Sequence, residues 1–139
     1  MKTSKKYFKA VGEAAEGEKY EKVLWVSRHM LNEEQLKDLQ RIYGDVEIKQ
    51  FADNVQSAKQ LVEVGEDCDI FAVVLPPALL ADLINPRINQ KPVIRSVMER
   101  VPTGTMIVNP GTGKEEMEMA MYFVAWEQVD EFRIVTHRL

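Results

Sequence analysis

The sequence is poor in the residues that organise small proteins through covalent or metal bonds. It has one cysteine, Cys68, and two histidines, His29 and His137, among 139 residues. A single thiol excludes an internal disulfide framework and a cysteine-built zinc site, and a metal site would need carboxylates that show no ligand spacing. The expectation is a protein with neither metal nor cofactor. Long apolar runs are missing as well, none approaching the ~18 residues that a membrane span requires. Lys2, Lys5, Lys6 and Lys9 make the opening basic, but no apolar stretch of a secretory leader follows them. A cytoplasmic setting without membrane contact is therefore expected. Nor is positive charge in excess, since 18 basic residues stand against 22 acidic ones for a formal net charge of -4. That balance argues against a duplex nucleic-acid binder with a broad basic face, while leaving room for a local group of arginines on a small anionic ligand. No internal repeat or low-complexity tract is visible.

What remains is an ordinary globular composition, 45% hydrophobic and 29% charged, in a length suited to one domain with its own core. Residues 1–21 read as an N-terminal arm or a peripheral helix around Tyr7, Phe8 and Val11. Residues 22–139 read as a single α/β domain. Val23, Leu24, Trp25 and Val26 are an unbroken apolar run with β-branched and aromatic members, as in a strand buried on both faces of a parallel sheet. Asn32 and Gln35 stand at capping-box spacing, and Leu36, Leu39, Ile42 and Tyr43 recur at helical steps up to Gly44. A second strand follows through Val46, Ile48 and Phe51. A less regular helix runs from Ser57 to near Gly65. IFAVVL, residues 70–75, is the candidate for the sheet's centre, and Pro76 and Pro77 open a short helix that ends before Asn85 and Pro86.

The βαβαβα order with right-handed crossovers specifies a small Rossmann-like, three-layer domain with parallel core strands. The second half adds antiparallel hairpins at the C-terminal end. Residues 93–101 read as a strand interrupted at Pro102, Thr103 and Gly104, and residues 106–108 as a short strand. NPGTGK, residues 109–114, is a turn, and the alternation of Met117, Met119, Met121 and Phe123 with Glu118, Ala120 and Tyr122 is a strand pairing back. A last strand is expected through Phe132 and Ile134. GTGK shares its ending with a phosphate loop, yet the positions needing glycine and a hydroxyl hold Val108 and Glu115, so a hairpin turn is the better reading.

Ser27, Arg28 and His29 leave the carboxyl end of the first strand just before a helix starts, where ligands bind in open α/β sheets. An imidazole titrates near neutral pH and can hand a proton to an alkoxide, and a guanidinium can hold phosphate oxygens bidentately. Set against this, a lone histidine is more often structural. Arg95, Ser96, Glu99 and Arg100 lie on a strand, where Arg95 shares a face with Glu99, and Ser96 with Arg100. They suit either an ion-paired outer strand or a ligand contact. The Met117, Met119 and Met121 run reads as core or a dimer surface. Trp25 and Trp126 read as packing residues, and Cys68 as inert.

At VLWVSRHMLNEEQLKDL the sequence resembles the small stand-alone CRISPR-associated proteins with a CARF-like Rossmann domain, the ring nucleases of type III systems. These open with an apolar strand, a Ser-His or Arg-His pair and a Leu-Thr-x-x-Gln helix start; the counterparts here are Ser27, Arg28, His29, Leu31, Asn32 and Gln35. PVIRSVMERV and FVAWEQVDEFRIVTHRL are similar to the family's late strand and its Phe-Arg-rich tail. DIFAVVLPPALL departs from the pattern, lacking the Gly-rich turn that some members carry. The resemblance implies a homodimer that binds a cyclic oligoadenylate across its two-fold axis and cuts it without metal. In that picture His29 is the general acid or base, Arg28 and Arg100 clamp phosphate, and Ser27 with the helix N–H groups of Glu33 and Glu34 positions an oxygen. A non-enzymatic nucleotide-sensing module, or a protein-interaction module, remains the alternative.

Overall fold

Glu21–Val26 (β2) is the centre of the sheet because its side chains leave it no other place. From Val23 to Val26 every residue is at most 3% exposed. The computed structural model describes residues 5–9, 21–133 and 135–139. Among these, β2 pairs in parallel with Val46–Phe51 (β3) on one side and with Ile70–Val73 (β4) on the other. Beyond β4 come Val93–Val108 (β5) and Glu115–Gln128 (β6), and Lys5–Lys9 (β1) lies outside β3, in the order β1-β3-β2-β4-β5-β6. The parallel core with antiparallel additions is the expected Rossmann-like α/β arrangement.

The helices start where local chemistry supplies free N–H groups with partners. Glu33–Tyr43 (α1) opens with the complete capping box: Gln35 N donates to Asn32 Oδ1 at 2.8 Å and Asn32 N to Gln35 Oε1 at 2.9 Å. It ends at Gly44, whose φ of 79° is cheap only for glycine. Ser57 caps Ala58–Val64 (α2) through Gln60 N at 3.1 Å, and Pro76 precedes Pro77–Leu83 (α3). Two cores result. Val23, Trp25, Ile48 and Ile94 meet Leu31 and Leu39 on the α1 face, while Leu24, Val26, Phe51, Phe71 and Val73 meet Leu61, Leu80 and Leu83 on the α2 and α3 face. Trp126 closes the α1 face edge-on to Trp25, with ring centres 5.8 Å apart, and donates its indole N–H to Gln35 O at 3.0 Å.

Three expectations change. Lys5–Lys9 is a strand antiparallel to β3, not part of a helix around Tyr7 and Phe8, because the edge of β3 offers a row of backbone groups to pair with; Val11 lies outside the described residues. The break at residues 102–104 does not end a strand: β5 continues through an irregularity between Pro102 and Met106, with Gly104 at φ 87°. The last strand is absent among the described residues, where 129–133 and 135–139 are irregular and largely exposed. Phe132, on the face expected to be buried, is 44% exposed and so lacks the packing that would hold a strand; Ile134 lies outside the described residues.

Candidate ligand site at the carboxyl end of the sheet

The chain leaves β2 for β3 on one side and later passes β2 to form β4 on the other. Loops leaving the carboxyl ends of β2 and β4 therefore diverge, and a crevice opens between them. Its volume is about 370 Å³, at the lower end of small-molecule sites. Val26, Phe51, Val55, Leu75, Pro76 and Leu79 form apolar walls, and Ser27, Arg28, His29, Asp53 and Asn54 supply the polar rim.

The Ser27 to His29 segment is pinned through its backbone. Gln50, only 3% exposed on the neighbouring strand, donates its amide to Ser27 O at 2.9 Å and to His29 O at 3.1 Å. Trp25 donates its indole N–H to His29 O at 2.7 Å, and Ser27 N bonds Phe51 O at 3.2 Å. Buried donors thus draw the loop's carbonyls inward, which leaves the Arg28 and His29 side chains exposed at the rim. Ser27 Oγ accepts from His29 N at 3.1 Å, and the Arg28 guanidinium donates to Asn54 Oδ1 from the loop after β3. Neither Pro76 nor Pro77 carries an N–H, so the start of α3 offers little backbone donation to an anion. The guanidinium that lines the crevice is that of Arg28.

The other expected residues are dispersed. Arg95 lines a smaller adjoining hollow that shares Val74 and Leu75 with the crevice, and its guanidinium stands 3.4 Å from Glu127. Ser96 borders the same hollow, but its hydroxyl turns to the other face, accepting from Gln35 Nε2 at 3.0 Å and so tying β5 to α1. Arg100 is in register with Met121 well along the hairpin and does not line the crevice. Asn32 Oδ1 and Gln35 serve the α1 cap, and among the described residues no hydrogen bond joins Ser27 to the N–H groups of Glu33 or Glu34.

Gln50, Asn54 and Asp53 belong to the site and were not singled out by the sequence. Gln50 has a signal in hindsight, as a polar residue between the apolar Ile48 and Phe51 of a largely buried strand; Asn54 has none, because only the fold brings the loop after β3 beside Arg28. Lys49 is 5% exposed and bonds Asp67 at 2.7 Å and Val64 O at 2.7 Å, which holds the Asp67 carboxyl below its ordinary range. Cys68 is buried; desolvation first and Asp67 next push its thiol up to about 11, so it stays protonated. Among the described residues no three His, Cys, Asp or Glu side chains come together as metal ligands, and no helix is long and apolar enough to cross a membrane. Comparison with known protein families, with curated proteins and with solved structures finds no match for this chain.

Proposed function

We propose that the protein binds a cyclic oligoadenylate at the carboxyl end of its sheet and opens the ring without a metal. The observation that carries this reading is the crevice itself: a guanidinium, an imidazole and a hydroxyl on one rigidly held loop beside apolar walls. Arg28 meets a bridging phosphate, and an adenine lies against the apolar side. A ribose 2′-oxygen then attacks the adjacent phosphorus, the bond to the 5′-oxygen breaks, and a 2′,3′-cyclic phosphate and a 5′-hydroxyl remain. His29 donates the proton that the leaving 5′-oxygen takes up, or removes the one on the 2′-hydroxyl. Arg28 offsets the charge that builds on the phosphoryl oxygens, and Arg95 in the adjoining hollow is the second cation within this face. A ring of several nucleotides exceeds one crevice of this size, in keeping with a homodimer that encloses it from two sides, in the cytoplasmic setting expected from the sequence.

A second reading is favoured by one specific feature. The His29 ring has no hydrogen-bond partner among the described residues, whereas a general base is usually oriented by one. A non-enzymatic sensor that only binds the nucleotide would need no such orientation. The two separate on incubation with cyclic tri-, tetra- and hexa-adenylates in excess EDTA, followed by mass analysis. Linear products ending in 2′,3′-cyclic phosphate that disappear in His29→Ala support the enzyme. Tight binding with intact rings supports the sensor, and neither binding nor cleavage rejects both.

A further inference from the structure

The β5–β6 hairpin leaves the body beyond the paired Ser96 and Trp126, which still pack against α1, and runs on past the end of β4 as a two-stranded arm. Directly opposed residues in an antiparallel pair share a face. On one face of the arm the register therefore sets Met98 beside Phe123, Arg100 beside Met121, Pro102 beside Met119, Met106 beside Met117 and Val108 beside Glu115. The other face carries Glu99, Glu116 and Glu118 among Val101, Ile107, Ala120 and Tyr122, with Thr103 Oγ1 bonding Glu118 Oε2 at 3.0 Å. The acidic residues thus gather on that mixed face, while the methionines gather on the first, and the methionine face is uncovered: Met106, Met117, Met119 and Met121 are 52%, 45%, 38% and 57% exposed. A free two-stranded ribbon is marginal in water, and an exposed apolar face on one marks an interaction surface.

The face also carries charge in a self-complementary layout. Its one cation, Arg100, sits near the foot and its one anion, Glu115, at the tip, with the methionines between them. Neither is ion-paired among the described residues. A two-fold axis through the middle of the face lays each Arg100 over the other copy's Glu115 and packs methionine on methionine, as an isologous contact requires. We infer that the methionine face of the arm is an interface with a second copy of this chain, held by methionine packing and by reciprocal Arg100 to Glu115 pairs. This rests on the arm alone and holds whatever the crevice binds. The face is about 30 Å long and two strands wide, roughly 300 Å². Stable interfaces take ~800 Å² per partner, so the association is weak unless the feet of the arms join it.

The test is sedimentation of the whole chain between about 1 and 200 µM, a span suited to so small a face. A reversible monomer–dimer equilibrium is expected in the wild type. Arg100→Glu places like charges together and weakens it about tenfold or more, and adding Glu115→Arg to that variant restores it to within a few-fold. Met119→Glu with Met121→Glu abolishes it while circular dichroism of the body is retained. A wild type that stays monomeric overturns the inference, as does a dimer that ignores the Arg100→Glu change or is not rescued by the double exchange. Nucleotide cleavage is read separately, so failure here leaves the crevice reading standing or falling by itself.

Discussion

The body and the arm are made of the same sheet and obey opposite rules. In the body, Val23 to Val26 and Ile70 to Val73 are apolar at every position and buried on both faces. In the arm, charged residues are interspersed among apolar ones and hardly any residue is buried. β5 crosses from one regime to the other gradually, from Ile94 at 2% exposure through the half-buried Ser96, Val97 and Met98 to the exposed Glu99 and Arg100. The difference separates two sources of order: the body is held by what it excludes from water, and the arm only by its own ladder until something covers it. The crevice lies on the stable side of that boundary, so its loop inherits the body's rigidity.

The widest gap between the regions should appear in truncations. Phe71→Ala, in the middle of the α2 and α3 face core, should destabilise by about 3–5 kcal/mol in urea unfolding, whereas Met117→Ala on the arm should stay within ~0.5 kcal/mol. Comparable losses at the two sites would erase the distinction. Gly65→Ala probes the body's packing from the other direction. A Cβ there would run into the buried Phe71 ring, and a penalty of about 1–3 kcal/mol is expected, read as a lowered urea midpoint.

Smaller effects sharpen the link between body and site. Gln50→Leu removes the donor shared by Ser27 O and His29 O, for an expected loss of roughly 1–2 kcal/mol. Amide exchange should accelerate at residues 27–30 and stay unchanged on the arm; unaltered exchange in the loop would show that Trp25 alone suffices to hold it. Smallest of all is the acid dependence. Because Asp67 has a lowered folded pKa, its contribution is complete above the ordinary carboxylate value and is lost as pH falls through that lowered value. Asp67→Asn should flatten this acid limb by less than about 1 kcal/mol, since the carboxylate is 46% exposed.

How much of this was legible depended on whether the determinant was local. The α1 start was plain because Asn32 and Gln35 carry their own reciprocal bonds, and the buried strands were plain because a run such as IFAVVL has few other uses. Ser27, Arg28 and His29 could be placed at the sheet's carboxyl edge from order alone. The partners of that loop could not, since Gln50 and Asn54 reach it only through strand pairing and a loop crossing. Alternation misled at Phe132, which is exposed and lies in no strand. It was right at residues 117–123, but it could not tell that the strand would extend past the body. For Arg100, the strand pattern gave the face correctly and not the distance from the crevice.

The most direct test of the account is where a nucleotide touches the protein. In an amide chemical-shift titration of the labelled chain with cyclic tetra-adenylate, perturbations should gather at residues 26–29, 51–55 and 74–79 around the crevice and weaken in Arg28→Ala. Perturbations centred on residues 97–108 and 115–124, or none at all at saturating ligand, would contradict it.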